Sequence, residues 1–304
     1  MGYDGMTNYY DPALKVQSHA MLRARDGFSA REAMLEDRDT LTAAITNFRP
    51  DVILHLAAQA GVRYSLENPR AYVDSNMIGT FNLLEAARQV DVAHIMVAST
   101  SSVYGANTAV PFKETDACDT PLTIYAATKK ATEAMGHATA HVYGIPMTFF
   151  RFFTVYGPWG RPDMAPFLFA KGIMDGTPLR IFNNGQMWRD FTYVTDLARA
   201  VRLLMDVPPV VGQPVAGDSL SPVAPFRVVN IGQSQKILLM DFIAALEDAL
   251  GRAAIREYHP MQMGDVPMTW ADTTLLRNLT GFVPQTEMRT GVARFVDWYL
   301  SQRK

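Results

Sequence analysis

A single cysteine, Cys118, stands in the 304-residue sequence. A disulfide within the chain is therefore impossible, four-cysteine metal sites are excluded, and the usage fits a reducing compartment. Neither sign of charge is in excess, since 28 basic against 30 acidic residues leave a formal charge of −2. That balance gives no general field for a polyanion such as nucleic acid, although a local arginine cluster could still hold two phosphates. No apolar run reaches the roughly 18 residues of a membrane span, and the N-terminus lacks a basic-then-apolar signal pattern. The six histidines are scattered, without an HxxEH or HExxH pattern, so no metal site is expected. These absences leave a soluble cytoplasmic protein, with neither nucleic acid nor membrane as partner, as the expectation.

With 48% hydrophobic residues, the chain can bury one large core and part of a second. Residues 12–49 read as helix-like material, and Asp51-Val52-Ile53-Leu54-His55-Leu56-Ala57-Ala58 as a short apolar strand entering a small-residue turn. A helix around Asn76–Gln89, a strand His94–Ser99, a helix Tyr125–Tyr143 and a strand Pro146–Phe152 follow. Apolar strands alternating with helices imply parallel crossovers and a sheet covered on both faces. The fold class expected is therefore α/β, a Rossmann-like doubly wound parallel sheet, over residues 1–153. Residues 154–304 are richer in turns and are expected to form a smaller C-terminal substrate lobe, with a strand near 226–231 returning to the main sheet. Gly212–Pro225, with its glycines, prolines and small polar residues, is expected as a surface loop or a partly disordered insertion with little to bury.

Tyr125 and Lys129 stand four positions apart, on one face if they open a helix. Tyrosine ordinarily titrates near 10, and a nearby ammonium favours its phenolate. Lys129 can supply that cation, whereas the bland alternative is a packed aromatic followed by a solvated lysine. The hydroxyl cluster Ser99-Thr100-Ser101-Ser102 sits where an open parallel sheet binds ligands, at the C-terminal end of a strand. A hydroxyl there can orient a substrate alcohol, or else satisfy its own backbone. His55, inside an apolar strand, reads as a hydrogen-bonded core histidine.

Thr100-Ser101-Ser102-Val103-Tyr104-Gly105 followed by Tyr125-x-x-x-Lys129 resembles the extended short-chain dehydrogenase/reductase superfamily, within it the NAD-dependent epimerase/dehydratase family. Ala57–Ser65, Arg151–Met164 and Arg189-Asp190-Phe191 resemble, more narrowly, UDP-glucuronate 4-epimerases, over nearly the entire chain. The resemblance implies Tyr125 as base and later acid, Lys129 as its tuner and ribose anchor, and Thr100 in the catalytic serine/threonine place. It implies NAD as cofactor, framed by Asp4, Asp37, Ala57, Ala58, Gln59, Asn76, Tyr125 and Lys129, with Asp4 favouring NAD over NADP. It places Ser101, Ser102 and Thr154 near the sugar, Arg189 first on the diphosphate, where a rigid fork of donors suits phosphate, and Arg161 second, near phosphate or sugar, with a surface ion pair as the alternative for either arginine. Arg63, with an ion pair to Glu67 as its alternative role, and Asp265 in a uridine-side loop complete the substrate set. Asp272 reads as a cap of the following helix. The partners implied are a UDP-sugar and a second copy of the chain, in a homodimer packed through two long crossover helices.

One departure from the family pattern is plain: the first strand, its glycine-rich Gly-x-x-Gly-x-x-Gly turn and the first helix are not in the sequence, and Met1-Gly2-Tyr3-Asp4 resembles the tail of the second strand. Those glycines let the backbone approach a pyrophosphate. The expectation is 4-epimerisation of UDP-glucuronate to UDP-galacturonate by the full-length form. UDP-glucose 4-epimerase and UDP-glucuronate decarboxylase stand as enzymatic alternatives, and an inactive nucleotide-sugar-binding or scaffolding protein as the alternative for the shortened chain.

Overall fold

A computed structural model describes residues 1–303. By its internal contacts the chain divides into two units. The first comprises Met1–Gly105, Ala117–Arg151 and Met205–Val229, and the second comprises Ala106–Asp116, Phe152–Leu204 and the rest.

The first unit opens with β1 (Gly2–Asp4), α1 (Ala13–Arg23), β2 (Ala30–Glu32) and α2 (Arg38–Phe48). β1 and β2 pair in parallel as a sheet of their own. The helix-like material expected within residues 12–49 is these two helices, and the strand between them is, at three residues, too short to show an alternating pattern. Next come β3 (Val52–His55), the short α3 (Tyr64–Glu67) and α4 (Pro69–Tyr72), then a π-turn at Val73–Ile78 that runs into α5 (Gly79–Ala87). β4 (His94–Thr100), a 3-10 turn at Ser101–Tyr104, α6 (Ile124–Tyr143) and β5 (Met147–Phe152) follow. The strand Phe226–Ile231, tenth in chain order, lies beside β5, so the main sheet runs 10-5-4-3.

All seven residues of β4 are buried, as expected for a strand covered on both faces. Leu41 and Ile45 from α2, Leu83 and Leu84 from α5, Ile95 and Val97 from β4, and Phe149 from β5 share one core cluster. α6 approaches the sheet closely because Gly136 has no side chain: a Cβ there would lie 2.3 Å from the Phe149 ring. The loop over 212–225 holds more than its composition suggests. Asp218 and Arg227 form a buried bidentate ion pair, and Ala224 is fully buried, so charge pairing rather than apolar content ties the loop down.

The second unit contains β6 (Thr154–Tyr156), α7 (Ala165–Asp175), β7 (Leu179–Phe182), β8 (Trp188–Arg189), β9 (Phe191–Tyr193) and α8 (Val194–Met205). After β10 (Phe226–Ile231) come β11 (Ile237–Leu238), α9 (Leu239–Leu250), β12 (Arg256–His259), β13 (Met268–Thr269), α10 (Thr274–Thr280) and α11 (Met288–Ser301). Three small sheets form: β6 with β9, β7 with β12, and β8 between β11 and β13. Phe191 stacks on Phe242 of α9 at 4.1 Å between ring centres, and the Tyr156 hydroxyl donates to the Met288 carbonyl of α11 at 3.1 Å. The N-cap of α10 is Thr273 rather than Asp272, which stands one residue earlier and accepts from the Thr274 amide at 2.8 Å. Among the described residues, no helix is long and apolar enough to cross a membrane, and no cluster of three or more potential ligands could hold a metal ion.

Candidate active site

The start of α6 is set by Thr123, whose hydroxyl accepts from the Ala126 amide at 3.2 Å as N-cap. That cap puts Tyr125 in the first turn and Lys129 one turn on. Tyr125 is half-buried, and its ring stands edge-on to Tyr72 at 5.8 Å and 70°. Tyr72 is wholly buried with its hydroxyl at the Ala60 and Gly61 carbonyls, so it is a fixed wall for the phenol. Lys129 is 3% exposed, and burial pushes its ammonium down to about 8, with the Glu133 charge working against that shift. His55 closes this region from β3, its Nε2 3.1 Å from the Thr80 hydroxyl. Burial first, and then the Lys129 charge, push its imidazole to about 3, so it is a neutral core histidine and adds no second cation.

Thr100 ends β4, where its Oγ1 accepts from the Ser102 amide at 3.2 Å and lies 3.3 Å from the Ser102 hydroxyl. This bond turns the chain into the 3-10 segment that carries Ser101 and Ser102. Gly105 then leaves that segment at φ +56°, and a Cβ on it would meet the Thr120 carbonyl at 2.0 Å, so only glycine lets the two loops meet there.

A third group follows β3. Ala57 packs against the core cluster and Ala58 is exposed, while Gln59 is tied to Asn76 in both directions: its amide donates to Asn76 Oδ1 at 2.9 Å and its carbonyl accepts from Nδ2 at 3.0 Å. The Asn76 Nδ2 also reaches Thr128 Oγ1 at 3.1 Å, so this buried asparagine joins the loop after β3 to the helix of Tyr125 and Lys129. Asp4, at the end of β1, accepts from the Met6 amide at 2.7 Å. Asp37 is exposed and caps α2 through the Thr40 amide; hydrogen bonds from Thr40 hold its carboxyl below the usual range. Near them, Glu36 accepts from Ser75 through Oε1 while its Oε2 is buried without a partner. Arg63 stands just before α3, four positions ahead of Glu67.

In the second unit, Arg189 lies in β8, and its Nη1 donates to the Trp188 carbonyl at 2.9 Å. Burial lowers the pKa of its guanidinium, and the Asp265 charge opposes that, so these two substrate-side residues are brought into electrostatic reach of one another. Thr154 is placed by its amide, which donates to the Asp190 carbonyl at 3.0 Å. Arg161 has its guanidinium forked onto Asp163, two residues on, with Nε 3.0 Å from Oδ1. A diphosphate at Arg161 would therefore compete with a carboxylate, whereas Arg189 carries no such bidentate partner.

Several residues in these settings, two of them inside the quoted motifs, carry no role in the sequence reading. Asp190 is wholly buried and gathers the amides of Gln233, Ser234 and Ala271 at 2.7–3.2 Å. Burial raises its carboxyl to about 6 against those donors, and the cluster fixes the backbone around Arg189. Glu133 and Arg151 form a bidentate ion pair behind Lys129. Glu133 was findable, because it continues the four-residue spacing of Tyr125 and Lys129. Asp190 was not, since its donors come from distant positions.

The model of the NAD dependent epimerase/dehydratase family matches residues 10–216. A Rhizobium meliloti protein described as a probable UDP-glucuronate 4-epimerase is 55% identical over 303 residues, covering 98% of this chain and 89% of that protein. Arabidopsis thaliana UDP-glucuronate 4-epimerase 4 is 42% identical, over 99% of this chain and 69% of its own length. The crystal structure of the Bacillus cereus UDP-glucuronic acid 4-epimerase in complex with UDP-glucuronic acid and NAD matches at a TM-score of 0.87 and 28% identity, covering 99% of this chain and 90% of that one. A capped tyrosine-lysine helix, a hydroxyl turn at the end of a buried parallel strand and these matches agree, and the chain belongs to the NAD-dependent epimerase/dehydratase family.

Proposed function

We propose that this protein interconverts UDP-glucuronate and UDP-galacturonate by inverting the sugar at C4, with NAD as cofactor. The observation that carries the reading is 55% identity across 98% of the chain to a relative described as a probable UDP-glucuronate 4-epimerase. The first unit supplies the fitting chemistry. Lys129 brings a buried ammonium, which makes no salt bridge among the described residues, to donate to ribose hydroxyls. The Gln59-Asn76-Thr128 network offers a rigid polar wall, Asp4 would take adenosine-ribose hydroxyls, and Asp37 would help frame the cofactor. With Ala57 and Ala58 as small residues against the ring system, these groups would hold NAD.

NAD held by these residues would supply the reversible hydride acceptance that inversion at C4 needs. Tyr125 takes the proton of the 4-hydroxyl and later gives it back, Lys129 stabilises the phenolate in between, and Thr100 aligns the alcohol. Ser101, Ser102 and Thr154 hold the sugar and its carboxylate. Arg189 binds the diphosphate, with Arg161, Arg63 and Asp265 as further substrate-side contacts. Fixing the carboxylate of the 4-keto acid away from the geometry for CO2 loss keeps the outcome an epimerisation. We further propose a homodimer packed through α5 and α6, where Phe81, Val142 and Tyr143 are about half exposed or more, in the reducing cytoplasm that suits a chain whose single cysteine, Cys118, is buried. Mass measurement under native conditions should give twice the chain mass; a monomer at every concentration removes the dimer.

Purified 304-residue chain, supplied with NAD, is expected to bring either uronate to the same mixture of the two, without net NADH. Release of a UDP-pentose and CO2 would make it a decarboxylase. A strong preference for UDP-glucose would make it a neutral-sugar epimerase. Binding of UDP-sugar with neither NAD binding nor turnover would leave only a binding or scaffolding role.

A further inference from the structure

The residue one turn beyond Lys129 is Glu133, and nothing in the proton and hydride chemistry above uses it. It is 3% exposed, and its partner Arg151, at the end of β5, is 2% exposed. Nε of Arg151 donates to Oε1 at 2.9 Å and Nη2 donates to Oε2 at 2.8 Å. Ser99 adds a third donor, its hydroxyl 2.6 Å from Oε1, and the surface residue Lys130 a weaker fourth at 3.5 Å from Oε2. The guanidinium meanwhile lies over the Tyr104 ring at 4.8 Å. One carboxylate thus ties together α6, the last turn of β4, β5 and the end of the 3-10 segment.

Those are the elements that carry the reacting groups. Ser99 precedes Thr100, Tyr104 closes the 3-10 turn that holds Ser101 and Ser102, and Glu133 shares its helix face with Tyr125 and Lys129. A buried ion pair is weak evidence for stability, since an apolar pair of similar volume often serves as well or better. What it adds is geometry, because a bidentate fork fixes both distance and orientation.

We propose that the Glu133–Arg151 pair is a positioning device: it sets the hydroxyl turn at 100–102 against the Tyr125–Lys129 face of α6 and holds that register through turnover. The inference rests on the C4-epimerase reading for its kinetic consequence alone. Its structural part stands on the bonds just described. Burial by itself would raise the Glu133 carboxyl, but Arg151 and Ser99 more than compensate and hold it below its usual value, so the pair is charged at working pH.

The test compares Glu133→Gln, which strands a buried guanidinium, with the double variant Glu133→Gln/Arg151→Met, which removes both charges. The single variant is expected to lose thermal stability, and the double variant to regain most of it. In the double variant kcat should nonetheless be down by about 10- to 100-fold with KM nearly unchanged, the penalty for misplacing well-bound reacting groups. Hydrogen exchange, read without substrate or NAD, should be at least about tenfold faster over 99–105 and 124–133 than in the wild type, as local opening predicts. Recovery of wild-type exchange together with the melting temperature would overturn the proposal, because the pair would then be only a packing element. If the wild type proves to act on another nucleotide sugar, the C4-uronate reading falls while the exchange comparison still decides the positioning role.

Discussion

Lys129→Met isolates the energetic consequence of burying an ammonium at the heart of the site. In the folded chain this lysine titrates near 8, against 10.5 when solvated, chiefly because burial disfavours its charge. Between those two values the unfolded chain holds a proton that the folded chain has released. Stability must therefore rise with pH across that window, and the burden of the buried charge is fully present below about 8. At about 1.4 kcal/mol for each pH unit, the interval corresponds to roughly 3 kcal/mol. Methionine keeps most of the stem without the charge, so the variant lacks this dependence and should be the more stable protein at pH 7. Urea unfolding without cofactor at pH 7, 8, 9 and 10 measures both. Tyrosines such as Tyr3 and Tyr193, which burial raises above 10, are common to the two proteins and cancel in the difference. The wild type is expected to close most of the gap on the variant by pH 10. Parallel stability curves, with a constant offset from pH 7 to 10, would refute the claim that this lysine carries a desolvated charge.

Tyr125→Phe keeps the ring against Tyr72 and removes the oxygen that moves the proton, so turnover should fall by about 100- to 10,000-fold while UDP-sugar affinity, measured by calorimetry, changes little. Near-normal turnover by the folded variant would remove Tyr125 from the chemistry. Asp190→Asn turns an amide NH2 toward backbone N–H donors that now meet carboxylate oxygens, and should lower unfolding free energy by about 2–4 kcal/mol in urea titration. A cost below about 0.5 kcal/mol, the scale of an ordinary surface substitution, would mean that the cluster does not anchor the segment around Arg189.

The parts legible in the sequence were those written as runs of adjacent residues. β4 announces itself by the apolar run Ile95–Ala98 leading into a hydroxyl cluster, and α6 by a long stretch without proline from Tyr125 to Tyr143. The hydroxyl turn and the tyrosine-lysine pair sit on these two elements, so their environments could be anticipated. β2 could not, because three residues carry no period, and its pairing with β1 depends on a crossover rather than on local composition. The loop over 212–225 looked empty because its anchor, Asp218, finds its arginine nine residues on, in β10. Arg161 illustrates a different limit. Its type suits a phosphate, yet the carboxylate that occupies it, Asp163, was visible two positions away and carried no sign of which partner would win. For the Gln59-Asn76-Thr128 chain, the contacts span 17 and 52 positions, and only the folded helices bring them together.

Inversion at C4 should proceed by removal and return of the same hydride, with Tyr125 moving the proton. UDP-glucuronate deuterated at C4, incubated with the purified chain and NAD in ordinary water and followed by NMR and mass spectrometry, reads this out directly. UDP-galacturonate that keeps its C4 deuterium, together with a Tyr125→Phe chain that forms none at the same rate, is the predicted result. Product that has exchanged its C4 deuterium for solvent hydrogen, or unchanged product formation without Tyr125, would contradict it.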